Sequence, residues 1–315
     1  MKKYTLKSVS QLTETCYELN LIPNSQTDII EFRAGQYVAL SIQGKVKKST
    51  VRCFSIASSS LRSDGSLDIG IRLGSKYTKL IKSSVPGAEV FVEGPFGEFT
   101  PQLDSSRRLV LIAGGIGVTP IVSIIKTIAE SNSSRQTTLL YFNNRAEDIP
   151  YINDIESLSN QNWLEAHIFI GSGSADLPNA KIGELDRAQM SKVIDIQNNT
   201  DYYICGPSGF MNKAVQLLLE GSVPTDYIHT ESFGSSQSKK SSKLSASIIT
   251  YMVTAAVIVL SVGAIATKDF VQKELNKLES SQDSDDSSSE PGETNISPEP
   301  IPSQGTYQSP RSTVS

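Results

Sequence analysis

The sequence predicts an α+β chain of two domains. An N-terminal antiparallel six-stranded β-barrel fills residues 1–105, and an α/β domain on a parallel sheet fills residues 106–235. A basic linker (236–243), one transmembrane helix (244–267) and an acidic Ser/Pro-rich disordered tail (268–315) follow. Three observations carry this reading. The first hundred residues hold six short β-patterned runs separated by turn residues. After Arg107, apolar strands alternate with helical spacing. Then Leu244 to Thr267 pass 24 residues without a charge.

The barrel strands are Tyr4–Ser10, Thr13–Ile22, Gln36–Gln43, Thr50–Ala57, Leu67–Leu73 and Glu89–Glu93, rich in β-branched and aromatic residues at near-alternating positions. Pro23, Asn24, Gly35, Gly44, Gly65, Pro86 and Gly87 punctuate them. Six short strands suit a small closed barrel. One short helix is expected over Lys79–Ser84.

The second domain opens with the compact apolar strand Leu109–Ala113. Helix Pro120–Glu130, strand Thr137–Phe142, helix Tyr151–Leu158, strand Ala166–Ile170, helix Leu185–Ile194, strand Tyr202–Cys205 and helix Phe210–Leu219 come next, with Tyr227–Phe233 as a closing edge strand. Such alternation implies a parallel sheet covered on both faces.

The uncharged run that follows the linker is long enough to cross the roughly 30 Å hydrocarbon core of a bilayer. Lys239, Lys240 and Lys243 precede it, so the basic-flank rule puts the N-terminal domains in the cytoplasm and the tail on the opposite side. The tail is too poor in apolar residues to offset its chain entropy.

The overall charge of −4, from 29 basic and 33 acidic residues, excludes a globally basic nucleic-acid binder. Residues 268–315 contain 4 basic and 9 acidic residues, so the preceding part is close to neutral. Three scattered cysteines, with no C-x-x-C pair, exclude a four-cysteine iron–sulfur or zinc site within this chain and suit a reducing compartment. The two N-terminal lysines lack an apolar run behind them, so no signal peptide is expected.

Three segments point to chemistry. In LVLIAGGIGVTPIVSIIKTI a strand ends in a turn of Gly114, Gly115 and Gly117, with Thr119 as expected N-cap and Pro120 as first helical residue. Free N–H groups and the helix dipole there suit an anion such as a pyrophosphate, and the alternative is a tight turn without a ligand. In GSKYTKL, Thr78 caps a short helix and would offer its hydroxyl to a phosphate, or the helix is simply capped. In RCFSIASS, Arg52 and Phe54 share one strand face, where a cation and an aromatic suit a phosphate and a planar ring or form a plain surface pair.

Taken in order, these segments resemble the ferredoxin–NADP reductase superfamily of flavin reductases over roughly residues 1–234. Arg52-Cys53-Phe54-Ser55 is similar to its R-x-Y-S motif, with Phe in place of Tyr. Gly74–Thr78, which includes Lys76, is similar to its flavin-pyrophosphate motif, and Gly94-Pro95-Phe96-Gly97 to its G-P-F-G turn. Gly114–Pro120 is similar to its nicotinamide-pyrophosphate loop. Cys205-Gly206-Pro207 with Met211 is similar to its C-G-P-x-x-M segment, with one extra residue. Glu231-Ser232-Phe233 stands where the family ends in an acid and an aromatic.

The resemblance implies that FAD takes a hydride from NADPH or NADH and passes electrons on. It places Ser55 beside flavin N5, and Cys205 and Glu231 with it around the nicotinamide. Arg52, Lys76 and Thr78 would hold the flavin pyrophosphate, Phe54 would stack on the isoalloxazine, and Phe233 would cover its other face. Gly114, Gly115, Gly117, Thr119, Pro120, Gly206 and Pro207 would hold the nicotinamide dinucleotide. The strand end Asn143-Asn144 carries no acid for a ribose 2′-hydroxyl, and the nearby Arg145 suits a 2′-phosphate, which tilts the expectation to NADPH.

The expected function is therefore a membrane-anchored flavin reductase delivering electrons to a separate carrier: a ferredoxin, flavodoxin, membrane flavoprotein or quinone. The competing readings are a non-catalytic redox-sensing module on the same fold and a tethered flavin or ferric reductase. No nucleic-acid partner and no metal ligand are expected.

Overall fold

A computed structural model describes residues 1–42, 51–131, 133, 135–172, 180–193 and 199–232. The first sheet contains β1 (Lys2–Gln11), β2 (Cys16–Pro23), β3 (Tyr37–Ile42), β4 (Arg52–Ser55), β5 (Leu67–Arg72) and β6 (Glu89–Phe96), with helix α1 (Lys76–Lys82) after β5. The strands pair antiparallel in the order β4-β3-β6-β1-β2-β5. A bridge between Ile56 and Ile69 ties the two edges, so the sheet curls on itself. The alternation read from sequence has its cause here. Tyr4, Leu6, Leu19, Leu21, Val38, Leu40, Val90 and Val92 all point into one core. β5 departs from alternation, with Leu67 through Ile71 all buried. Its outer face meets the second domain: a Cβ on Gly70 would lie 2.7 Å from the Tyr151 hydroxyl and 3.0 Å from that of Thr119.

The second sheet is parallel: β7 (Arg108–Gly114), β8 (Thr137–Asn143), β9 (Leu164–Ile170), β10 (Ala180–Ile182), β11 (Thr200–Cys205) and β12 (Ile228–Glu231). Helices α2 (Val118–Glu130), α3 (Ile152–Ser159), α4 (Arg187–Val193) and α5 (Ser208–Glu220) connect it. The strand order is β10-β9-β8-β7-β11-β12. Chain progression reverses between β7 and β11, which opens a crevice at their carboxyl ends, the switch point where ligands bind in such sheets.

The five helices start one to three residues from expectation, and two of these shifts have a visible cause. Helix α2 begins at Val118, because the tight turn Gly115–Gly117 runs straight into it and Gly117 is the N-cap. Thr119 is therefore not the cap; it sits in the first turn and its hydroxyl donates to the Ile116 carbonyl at 2.8 Å. Helix α1 begins at Lys76 with Ser75 as N-cap. Ser75 accepts from the Thr78 N–H at 3.1 Å, and Thr78 Oγ1 accepts from the Ser75 N–H at 3.2 Å.

The two expected domains pack as one compact unit. Nearly every position of α2 from Val118 to Ile128 is buried, as befits a helix covered on all sides. One side lies on the parallel sheet, and the other meets Ala34, Ala57 and Phe99 of the first domain in the same apolar cluster. Ser123 donates to the Ser58 carbonyl at 2.7 Å, and Thr127 Oγ1 accepts from the Ser60 N–H at 2.9 Å. The helix thus satisfies its buried hydroxyls on the partner domain. Phe233, the expected linker, the transmembrane helix and the tail lie outside the described residues. Among the described residues, no helix is long and apolar enough to cross a membrane.

Candidate functional site

The junction between the sheets gathers three of the residues expected to be catalytic. Ser55 ends β4 and pairs with Tyr37 of β3, which also pairs with Phe96 of β6. The next residue, Gly97, has a positive φ of 100°, and a Cβ there would meet the Tyr37 ring at 3.1 Å and Glu231 Oε1 at 3.3 Å. Glu231 in turn pairs with Cys205 across β11 and β12, and the Cys205 thiol donates to its carbonyl at 3.3 Å. Ser55, Tyr37, Gly97, Glu231 and Cys205 therefore form an unbroken run of neighbours across both domains.

Two polar atoms in this run have no partner. Ser55 is only 1% exposed, and its Oγ is buried without a hydrogen bond. Glu231 Oε2 is in the same condition. Burial, reinforced by the charge of Glu98, pushes the Glu231 carboxyl up to about 7. Burial, with the Glu231 charge beside it, also drives the Cys205 thiol well above its ordinary range. Native proteins rarely leave buried polar atoms unpaired, so these atoms are fitted to a ligand that supplies the missing partners.

Beside the run lies a cleft of about 630 Å³, lined by Gly114, Gly115 and Gly117 on one side and Gly206 and Pro207 on the other. Gly117 is fixed by close approach: a Cβ there would stand 2.5 Å from the Cys205 carbonyl oxygen. The ring of Phe210 lies over Gly114 and Gly206, with 2.9 and 2.8 Å to a Cβ at either. Thr119 and Pro120 are buried in the first turn of α2. Asn143 and Asn144 line the cleft at the end of β8, and both amide atoms of the buried Asn143 lack a partner. A bare glycine turn facing a helix start, with an unpaired amide beside it, fits a dinucleotide. Arg145 does not line this cleft. It is exposed and pairs with Glu147 at 3.3 Å.

On the barrel side, Arg52 is exposed, and among the described residues its guanidinium donates to the Val51 carbonyl at 3.1 Å. Lys76 is exposed at the start of α1 with no ion pair among the described residues. Phe54 is half-buried and lies nearly parallel to Tyr77, 13° between planes and 6.2 Å between centres. Tyr77 is anchored by its hydroxyl to the Leu40 carbonyl at 2.6 Å. Thr78 is not the N-cap, which is Ser75; it is buried in the first turn of α1 with its hydroxyl engaged in the capping box. The orphaned Ser55 hydroxyl together with the free Arg52 and Lys76 cations suits FAD.

Four residues at or beside the site escaped the sequence reading. Arg72, from β5 of the barrel, reaches into the cleft, with Nη2 3.6 Å from a Cβ at Gly115. Asp148 stands beside it, 2.5 Å from Nη1. Lys213 of α5 also lines the cleft. Tyr37, outside the cleft, pairs with Ser55 and packs its ring near Gly97. Arg72 carried one weak signal, a charge at the end of an apolar strand beside the GSKYT segment.

Comparison with known proteins agrees with this geometry. Residues 3–100 match the oxidoreductase FAD-binding domain and residues 111–216 the oxidoreductase NAD-binding domain. The reductase component of propane 2-monooxygenase from Rhodococcus jostii is 26% identical over 237 residues, covering 72% of this chain and 62% of that protein. The ferredoxin reductase component of 3-ketosteroid-9-alpha-monooxygenase from Mycobacterium tuberculosis is 28% identical over 220 residues, covering 66% of this chain and 57% of its own length. The chain thus spans less than two thirds of these relatives. The solved FAD/NAD-binding domain of the Vibrio cholerae nitric oxide dioxygenase superposes with a TM-score of 0.66 at 24% identity, over 74% of this chain and 99% of that one. With both domain types matched in order and the junction between them intact, this chain belongs to the ferredoxin reductase-like family of oxidoreductases that use FAD and NAD(P)H.

Proposed function

We propose that this protein is a membrane-anchored NAD(P)H oxidoreductase that reduces a bound FAD and hands the electrons to a separate acceptor. The observation that carries this is the pair of unpartnered buried atoms, Ser55 Oγ and Glu231 Oε2, on either side of one junction. Bound FAD supplies a hydride acceptor and an outlet for electrons one or two at a time.

This chain's own residues do the positioning. Ser55 Oγ supplies the hydrogen bond at the hydride-accepting edge. Cys205 and Glu231 form the opposite wall and set the depth to which the nicotinamide enters, and close fixed approach is where such enzymes gain rate. With its carboxyl pushed up to about 7, Glu231 is partly protonated at neutral pH, and the protonated form can donate to a carboxamide oxygen. Arg52 and Lys76 meet the flavin pyrophosphate, while Gly115, Gly117, Asn143 and Arg72 meet that of the coenzyme. NADH and NADPH are both candidates, since β8 ends in Asn143-Asn144 with no acid for a ribose 2′-hydroxyl, and Arg145, which suits a 2′-phosphate, does not line the cleft.

The acceptor is a separate redox protein. Matched relatives are reductase components of monooxygenases, so an oxygenase component or its ferredoxin is the first choice. Residues 244–267 would hold the catalytic unit on the cytoplasmic face, with tail 268–315 beyond the membrane. The test is direct. Purified full-length protein is yellow, and anaerobic addition of NADH or NADPH bleaches it, the faster donor being the physiological one. A protein that takes up no FAD overturns the proposal. Extraction from membranes by detergent but not by carbonate tests the anchor.

A further inference from the structure

We infer that Asp148 is a positioning residue for coenzyme binding: it aims Arg72, carried by the barrel, at the pyrophosphate bound on the glycine turn of the other domain. This rests on the proposed coenzyme site.

Arg72 and the glycine turn belong to different domains, and a long side chain crossing such a seam is not aimed by its own strand. Asp148 supplies the aim. It lies in the segment after β8, and its Oδ2 takes Arg72 Nη1 at 2.5 Å. Its Oδ1 accepts from the hydroxyls of Thr13 at 2.6 Å and Thr15 at 2.8 Å, both in the β1–β2 turn of the barrel. Arg72 Nη1 also donates to Thr15 Oγ1 at 3.0 Å. One terminal nitrogen is thus consumed by the seam, and the other, Nη2, faces Gly115 in the cleft. A guanidinium serves both ends of this arrangement because its donors are fixed in a planar fork; an ammonium is a point charge and serves one. The hydrogen bonds from Thr13, Arg72 and Thr15 outweigh burial and hold the Asp148 carboxyl below its usual range, so the tether stays charged.

The arrangement also couples the two domains. A pyrophosphate held by the glycine turn on one side and by Arg72 on the other spans the same seam that Asp148 closes.

The experiment is a double-mutant cycle on full-length, FAD-loaded protein, reading Kd by calorimetry with NAD⁺ and with NADP⁺, and KM and kcat alongside. Losing a charge-assisted hydrogen bond predicts that D148N and R72A each raise Kd and KM about tenfold or more, with kcat little changed. The double variant binds no more weakly than R72A alone, because Asp148 acts only through Arg72. R72K keeps the charge and loses the fork, and it shows most of the R72A loss at an unchanged melting temperature. T13V removes a seam hydrogen bond without touching Arg72 and leaves Kd within about twofold. Losses from D148N and R72A that add, or a T13V loss as large as that of D148N, would mean a merely structural seam and overturn the inference. So would wild-type-like binding by D148N. Wild-type protein that binds neither dinucleotide overturns the proposed function itself, and this inference with it.

Discussion

Gly117 gives the most stringent test of the crevice. A Cβ at this position would stand 2.5 Å from the Cys205 carbonyl oxygen, 2.6 Å from its carbon and 2.6 Å from Gly206 Cα. All three are backbone atoms, so no rotamer change relieves the overlap. Gly117→Ala must instead push the turn after β7 away from the end of β11 by roughly 1 Å. Overpacking of this kind costs typically 1–3 kcal/mol, and the three simultaneous backbone contacts place it at the upper end, about 3 kcal/mol. For a unit of this size that is a fall in melting temperature of roughly 6–12 °C. The same displacement opens the anion turn, so coenzyme affinity falls with stability. Gly209 is the internal control: nothing lies within 4 Å of its Cβ position. Gly209→Ala, in the first turn of α5, therefore changes stability by no more than about 1 kcal/mol, in the favourable direction. Thermal melts and NAD(P)⁺ titrations of the two variants decide the matter. G117A that melts within about 2 °C of wild type and binds coenzyme normally would refute the packing argument.

Three further outcomes follow from buried polar groups. Burial, with the Asp68 charge nearby, pushes the Glu18 carboxyl up to about 7, and Oε2 has no partner. Its folded pKa lies above its unfolded one, so wild-type stability falls as pH rises from about 4.5 to about 7, and the full cost stands above that. Glu18→Gln is then more stable than wild type at pH 8, by on the order of 2–3 kcal/mol, and equal to it near pH 4; denaturant melts at both pH values measure this. Ser55→Ala slows anaerobic flavin reduction by about tenfold or more in stopped flow while FAD content stays normal, because a single hydrogen bond at the reacting edge is lost. Glu231→Gln removes the limb near pH 7 from the pH dependence of flavin reduction, whereas Glu98→Gln only moves that limb to lower pH, since the charge of Glu98 is the lesser cause of the shift.

How far the sequence could be read depended on the range of the interactions involved. All six barrel strands and five of the six parallel strands announce themselves through alternation or compact apolar runs, which are local signals of one-sided or two-sided burial. β10 does not, because three residues, one half-buried and two exposed, carry no period. Helix starts were misplaced where capping departs from the common pattern. Gly117 caps α2 without a side chain, and Ser75 pairs with Thr78 where a Glu or Gln usually closes the box. Ser55, Cys205, Glu231 and the glycine turn were found through motif order. Arg72, Asp148 and Tyr37 were not, because their roles arise only when residues 76 to 194 apart in sequence meet at the domain seam. Arg145 was placed by its position near a strand end; its exposed side chain pairs with Glu147, a surface contact that sequence spacing does not reveal.

The three thiols, finally, differ in chemical vulnerability. Cys205 is sealed beneath the glycine turn, and its proton is held too firmly for it to be a useful nucleophile; Cys16 is likewise buried and shifted upward. Among the three, Cys53 is the exposed one, between Arg52 and Phe54 on β4, although burial pushes its thiol up as well. Oxidants and alkylating reagents thus reach Cys53 before the two buried thiols. Mass spectrometry after brief iodoacetamide treatment should find one labelled site, Cys53, in protein that still accepts hydride. Burial thus keeps the Cys205 thiol, next to Glu231, away from reagents that modify Cys53.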